Sequence, residues 1–114
     1  MKILYTGAFR FPTGDAGAAR VLNVARLLRE LGHEVEFLSF GRDRNNALVG
    51  TYDSFEYSVT EDLDQTAFFA RLRGTFQRGY KAYRVIRKNI KLYDCVIVYN
   101  PALFFTIKIL QICK

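Results

Sequence analysis

Apolar and polar positions follow two periods along this chain. Lys2-Ile3-Leu4-Tyr5-Thr6-Gly7 is a short apolar run that reaches a glycine at once, and it predicts a first strand. A loop from Ala8 to Gly17 follows. Beyond it Val21, Val24, Ala25, Leu28 and Leu31 recur three and four residues apart, the apolar face of a helix. Arg20, Arg26, Arg29 and Glu30 fall on the other face. The helix is expected to start at Asp15 or Ala16, with Asp15 as N-cap accepting from free N–H groups of the first turn. Gly32 ends it as a left-handed cap. His33 to Phe40 alternates and then runs apolar, a second strand. A helix that returns to a parallel strand crosses over right-handed. The first 40 residues therefore predict a βαβ unit.

The pattern then loosens. Gly41 to Gly50 reads as a polar connection, and Phe55-Glu56-Tyr57-Ser58-Val59 alternates as a third strand. Glu61, Asp62 and Asp64 suit the first turn of a long helix, where acidic groups complement the dipole. Its stripe would be Phe69, Leu72, Phe76, Tyr80, Tyr83, Ile86 and Ile90, weakened at Gly74 and Gly79. Tyr93 to Tyr99 is apolar with little alternation, as for a central parallel strand buried on both faces. Asn100-Pro101 closes it, and Ala102 to Ile112 forms a last helix with Pro101 in its first turn. This order predicts an α/β fold: a Rossmann-like, doubly wound, open and mainly parallel sheet of about four strands, ordered 3-2-1-4, with flanking helices. At 114 residues it makes a single domain.

In such a sheet ligands sit at the carboxyl ends of the strands where the order reverses. Here that places the loop up to Gly17 opposite Tyr99 and Asn100. The unpaired N–H groups and the dipole of the first helix favour a phosphate or carboxylate there. Gly14, Asp15, Ala16, Gly17 and Arg20 are the candidate anion-binding residues, and the two glycines allow close backbone approach. A dinucleotide fingerprint is absent, since only Gly14-x-x-Gly17 occurs, late in the loop. The second strand ends in Phe40-Gly41, without an acidic residue for a ribose hydroxyl, and no Gly-Lys-Ser/Thr occurs.

Composition adds limits. Half of the residues are hydrophobic, with 10 Phe and 7 Tyr, enough for a packed core. No apolar run is long enough to span a bilayer, and the N-terminus lacks a signal-peptide pattern. Cys95 and Cys113 are unclustered and there is one histidine, so reduced thiols in a cytoplasmic protein are expected, and neither a metal site nor a cofactor. The net charge of +6 is uneven: 8 of the 17 cations lie between Arg71 and Lys91 with no carboxylate among them. Arg78, Lys81, Arg84 and Lys88 are the candidate face for an anionic membrane, peripheral to its inner side. No motif for specific nucleic-acid recognition accompanies them.

Lys2-Ile3-Leu4, Pro12, Gly14 to Gly17, Arg20, and Leu27-Leu28-Arg29-Glu30-Leu31-Gly32-His33-Glu34-Val35 resemble the start of family 4 of the retaining glycosyltransferases. Tyr93-Asp94-Cys95-Val96-Ile97-Val98 resembles their fourth strand. The resemblance implies the GT-B fold, two Rossmann-like domains facing across a cleft, of which this chain would be an incomplete N-terminal, acceptor-side one. It implies a nucleotide-sugar donor whose diphosphate faces Gly14 to Gly17, and a glycan or lipid-linked acceptor near Tyr99 and Asn100. It also implies that the chain is inactive without a donor domain, and that bare apolar surface promotes self-association. The chain departs from the family at Gly17-Ala18, where a double glycine is usual. It departs again at Tyr99 and Asn100, where many members carry a histidine, so no catalytic base is assigned. Two other readings stay open: a non-catalytic Rossmann-like anion- or nucleotide-binding module, and a basic membrane-interaction fragment.

Overall fold

A computed structural model describes residues 1–60, 79–100 and 103–113. It is an α/β fold with five strands: β1 (Lys2–Phe11), β2 (Glu34–Arg42), β3 (Val49–Tyr52), β4 (Phe55–Val59) and β5 (Cys95–Tyr99). The described helices are α1 (Ala16–Glu30), α2 (Tyr80–Asn89) and α3 (Leu103–Ile112), with a 3-10 turn at Ile90–Leu92. The sheet order is β3-β4-β2-β1-β5. All neighbours are parallel except β3, which runs antiparallel to β4. Four strands in the order 3-2-1-4 are thus corrected to five. The added strand, β3, begins in the stretch read as a polar connection, Gly41 to Gly50, and runs on through Thr51 and Tyr52.

The βαβ unit forms as its pattern requires. Asp15 is extended and caps α1, its Oδ1 accepting from the Ala18 N–H at 2.8 Å. At the far end Gly32 has φ +90, its N–H donates to Arg29 O, and His33 N–H donates to Leu28 O. This pair of bonds is the Schellman cap that a left-handed glycine permits. The buried face of α1 is Ala18, Val21, Leu22 and Ala25, with Leu28 partly covered. Val24 and Leu31, expected on that face, are exposed, because the helix is rotated to centre Val21 and Ala25 on the sheet.

Two apolar layers sandwich the sheet. Ile3, Tyr5, Phe9, Phe11, Phe37, Phe55 and Tyr57 pack beneath α1. Phe11 and Phe37 stack with ring centroids 4.2 Å apart. On the opposite side Leu4, Leu38 and Phe40 meet Ala82 and Ile86 of α2 and Phe105 and Ile109 of α3. Gly79 stands just before α2 at φ +83, and a Cβ there would lie 2.7 Å from the Phe105 ring and 2.8 Å from that of Phe40. The expected break at Gly79 therefore doubles as the point where α2 closes on its neighbours. Tyr80, placed on the buried stripe by sequence, is exposed. Phe69, Leu72, Phe76, Gly74 and Arg78 lie outside the described residues.

The extent of one strand and the burial of another are corrected. Ala8 to Phe11 are not loop; they continue β1 past a register irregularity after Gly7, and the connection shrinks to Pro12–Asp15. The Phe11–Pro12 peptide bond is cis. β5 lies at an end of the sheet among the described residues, where the order 3-2-1-4 puts it, but its five residues are half-buried and not enclosed on both faces as its apolar pattern suggested. Asp94 ties its entrance to β1, accepting from Lys2 N–H at 2.7 Å and donating its own N–H to Lys2 O at 2.8 Å.

Candidate functional site

The carboxyl ends of β1, β2 and β5 converge with the N-terminus of α1. Gly7 pairs with Tyr99 in the ladder, at φ +152, and a Cβ on it would run into the Tyr99 carbonyl oxygen. Only glycine lets β1 and β5 close to this spacing. Ten residues on, in the first turn of α1, Gly17 faces the Tyr99 side chain: a Cβ there would stand 3.2 Å from the ring and 3.2 Å from Asp15 Oδ1. The Tyr99 ring meets Phe9 edge-on at 6.1 Å. Gly17 thus stands against Tyr99 at the expected crevice, at the end of the sheet where Asn100 follows β5 and the Gly14–Ala16 segment leads into α1. Asn100 has φ +48 and is exposed, as are Gly14, Asp15 and Ala16. Ala18, which stands where the resembling family has a second glycine, is fully buried. Close approach from the crevice is therefore decided at Gly17.

Charge at the crevice is mixed. Asp15 Oδ2 accepts from the Arg10 N–H at 3.1 Å while Oδ1 holds the Ala18 N–H, so the cap carboxylate occupies part of the helix N-terminus itself. By the geometry of an α-helix, the N–H groups of Ala16 and Gly17 have no acceptor one turn back. Arg20 is exposed one turn along the same side of α1. Register adds cations that sequence reading did not place here: Arg10 pairs with Gly41, and Phe11 with Arg42, at the ends of β1 and β2. Arg44 is exposed in the connection that follows.

Asp43 is the residue the sequence concealed. It is buried at the end of β2, and its carboxylate accepts from Thr13 N–H at 3.0 Å, Thr13 Oγ1 at 2.6 Å, Asn45 N–H at 3.1 Å and Asn46 Nδ2 at 3.0 Å. The Thr13 hydroxyl, with the other donors, holds this carboxyl below the usual range even though burial works the other way. Asp43 thereby clamps the loop before α1 to the loop after β2. Gly14 fits beneath it, since a Cβ there would come 2.6 Å from Arg10 Cβ and 3.3 Å from Asp43 Cβ. The one local signal was Asp43-x-Asn45, an Asx turn.

The remaining candidates lie elsewhere. Lys81, Arg84 and Lys88 are exposed on α2, on the opposite side of the sheet from α1, and Arg78 lies outside the described residues. A groove of ≈ 440 Å³ runs between α2 and β4, lined by Leu4, Glu36, Tyr57, Ile86, Asn89 and Tyr93. Two of its polar groups pair with each other and with Lys2: Tyr93 donates to Glu36 Oε2 at 2.6 Å, and Lys2 Nζ lies 2.8 Å from Oε1. Burial raises the Glu36 carboxyl, but these two partners outweigh it and hold it below the usual range. Burial, with Glu36 beside it, pushes the Tyr93 phenol up. His33 meets the N-terminal amine through Nδ1 at 3.2 Å, far from the crevice. Among the described residues no cluster of three or more His, Cys, Asp or Glu side chains is placed to hold a metal ion, and no helix is long and apolar enough to cross a membrane. Comparison with family models, with curated proteins and with solved structures gave no match.

Proposed function

We propose that this chain is the acceptor-side, Rossmann-like domain of a retaining, nucleotide-sugar-dependent glycosyltransferase. The observation that carries this reading is Gly17 set against Tyr99 at the carboxyl ends of β1 and β5, where strand order reverses. In this reading the Ala16 and Gly17 N–H groups donate to diphosphate oxygens of the sugar nucleotide. Arg20 adds charge, and Tyr99 and Asn100 border the acceptor. As the bond from sugar to diphosphate breaks, negative charge grows on the leaving group, and donors held in place in advance stabilise it. Asp43 supplies that order by fixing the loop from the far side. The nucleotide and sugar would be held chiefly by a second domain, so the 114 residues alone are expected to transfer no sugar.

A specific observation favours a second reading, a non-catalytic anion-binding module. The carboxylates described at this end, Asp15 and Asp43, both accept backbone N–H bonds, which suits positioning and not proton transfer. A backbone amide NMR titration tests the common ground. Inorganic pyrophosphate and UDP should each shift Gly14, Gly17 and Asn100 saturably, and Arg20→Ser should weaken both by roughly fivefold, the value of one exposed charge contact. Absence of shifts at millimolar ligand overturns both readings. Oligosaccharide-dependent shifts at Tyr99 separate the transferase domain from the simple module.

A further inference from the structure

α2 and α3 lie on one side of the sheet, with Ala82, Ile86, Phe105 and Ile109 turned into a shared core. Their outward faces therefore share one side of the molecule. The outward face of α2 is cationic: Lys81, Arg84, Arg87 and Lys88 are exposed, Lys91 follows, and the helix contains no carboxylate. That of α3 is apolar. Leu103, Phe104, Ile107 and Leu110 are 72%, 48%, 43% and 60% exposed, at the spacing of one helical stripe. Lys108 is the one charged residue between them. So α3 is apolar both toward the core and away from it.

We propose that this face docks on an anionic lipid bilayer. An exposed apolar stripe of this kind marks an interaction surface, and charge decides which. A second copy meeting it about a two-fold axis would bring two cationic α2 helices toward each other, on chains that each carry +6. An anionic bilayer presents negative headgroups to Lys81, Arg84 and Lys88 and an apolar boundary to Leu103, Ile107 and Leu110. α3 has 10 residues and would lie in the plane of the interface. The inference does not depend on the crevice, which is on the other side of the sheet.

Vesicle co-sedimentation of the full chain tests it, with phosphatidylcholine alone and mixed with phosphatidylglycerol. Binding is expected to the mixed vesicles alone and should fall as salt rises, since screening shortens to about 3 Å near 1 M. Lys81→Ser, Arg84→Ser and Lys88→Ser together should weaken it on the order of a hundredfold, about fivefold per charge near the surface. Leu103→Gln, Ile107→Gln and Leu110→Gln together should weaken it by at least tenfold while circular dichroism stays unchanged, since all three positions are exposed. No binding to the mixed vesicles, or equal binding by either triple variant, overturns the proposal. So does a wild-type dimer in light scattering that the Gln variant turns into a monomer, because the face then belongs to a second copy. These readouts are separate from the amide shifts at Gly17, so either reading can fail alone.

Discussion

Asp43 is buried and ties the loop before α1 to the loop after β2. Its carboxylate receives four donors, two of them from Thr13, which lies 30 residues earlier in the chain. Asp43→Asn keeps the size of the side chain but turns one acceptor oxygen into an NH2 that faces donors. The expected cost is about 1–3 kcal/mol, the range for spoiling buried bonds to a charged group. For a domain of this size that lowers Tm by roughly 4–12 °C. The pH dependence follows from the direction of the shift. In the folded chain Asp43 titrates below its unfolded value of about 3.9. The unfolded state therefore takes up the proton first as pH falls. The stabilisation is complete above the unfolded value and is lost as pH drops through the folded one. Thermal melts of wild type and variant should differ by a constant amount from pH 7 to about pH 5 and converge below about pH 4. A difference that persists undiminished at pH 2 would show that the carboxylate charge is not what holds the two loops.

The βαβ unit at the front of the chain was legible because its signals are local. Asp15, Gly32 and the helical apolar spacing each act within a few residues. The β3–β4 hairpin was not. Val49-Gly50-Thr51-Tyr52 carries a glycine, and its turn, Asp53-Ser54, lacks one, although both turn residues have positive φ at 50° and 64°. Such a two-residue turn ordinarily calls for Asn-Gly or Asp-Gly. Here the conformation is upheld from α1: Arg26 Nε donates to Asp53 Oδ2 at 2.7 Å, and Arg29 donates to Asp53 O at 2.6 Å. A tertiary contact thus supplies what the local sequence does not. The same holds at the crevice, where Gly17 could be read locally while Asp43 depended on a distant Thr13. The hairpin gives a sharp test. Ser54→Gly removes a side chain from the left-handed region, where it costs about 1 kcal/mol, and should raise Tm by roughly 4 °C. An unchanged or lower Tm would mean that the Ser54 side chain makes a compensating contact.

At the scale of the molecule, β5 combines the apolar pattern of a central strand with the edge position that the strand order gives it. Cys95, Ile97 and Tyr99 pack toward the α1 side, and Val96 and Val98 toward α2 and α3. Both faces are lined with apolar side chains, which is the pattern of a central strand. What makes a strand an edge is the row of backbone groups along its free side, and side-chain pattern does not record that row. Among the described residues β5 pairs only with β1. None of its five residues is charged or proline, the usual guards of an edge. Exposed Leu92 stands before it, and Cys95, Val96 and Val98 border an open groove with Leu110 and Ile112 of α3. A free, unguarded edge is a template for further pairing. The purified chain is therefore expected to self-associate with rising concentration through β5, in addition to any membrane contact of α3. Hydrogen exchange followed across a concentration series locates the contact. Backbone amides of Val96 and Val98, or of Cys95, Ile97 and Tyr99, whichever set points away from β1, should gain protection as light scattering rises. A Leu103→Gln, Ile107→Gln variant should behave like the wild type in this assay, because those two side chains are neither on the strand nor among those lining the groove beside it. Monodisperse monomer at high concentration, or association without added protection in β5, would refute pairing at this edge and point to a cover for it outside the described residues.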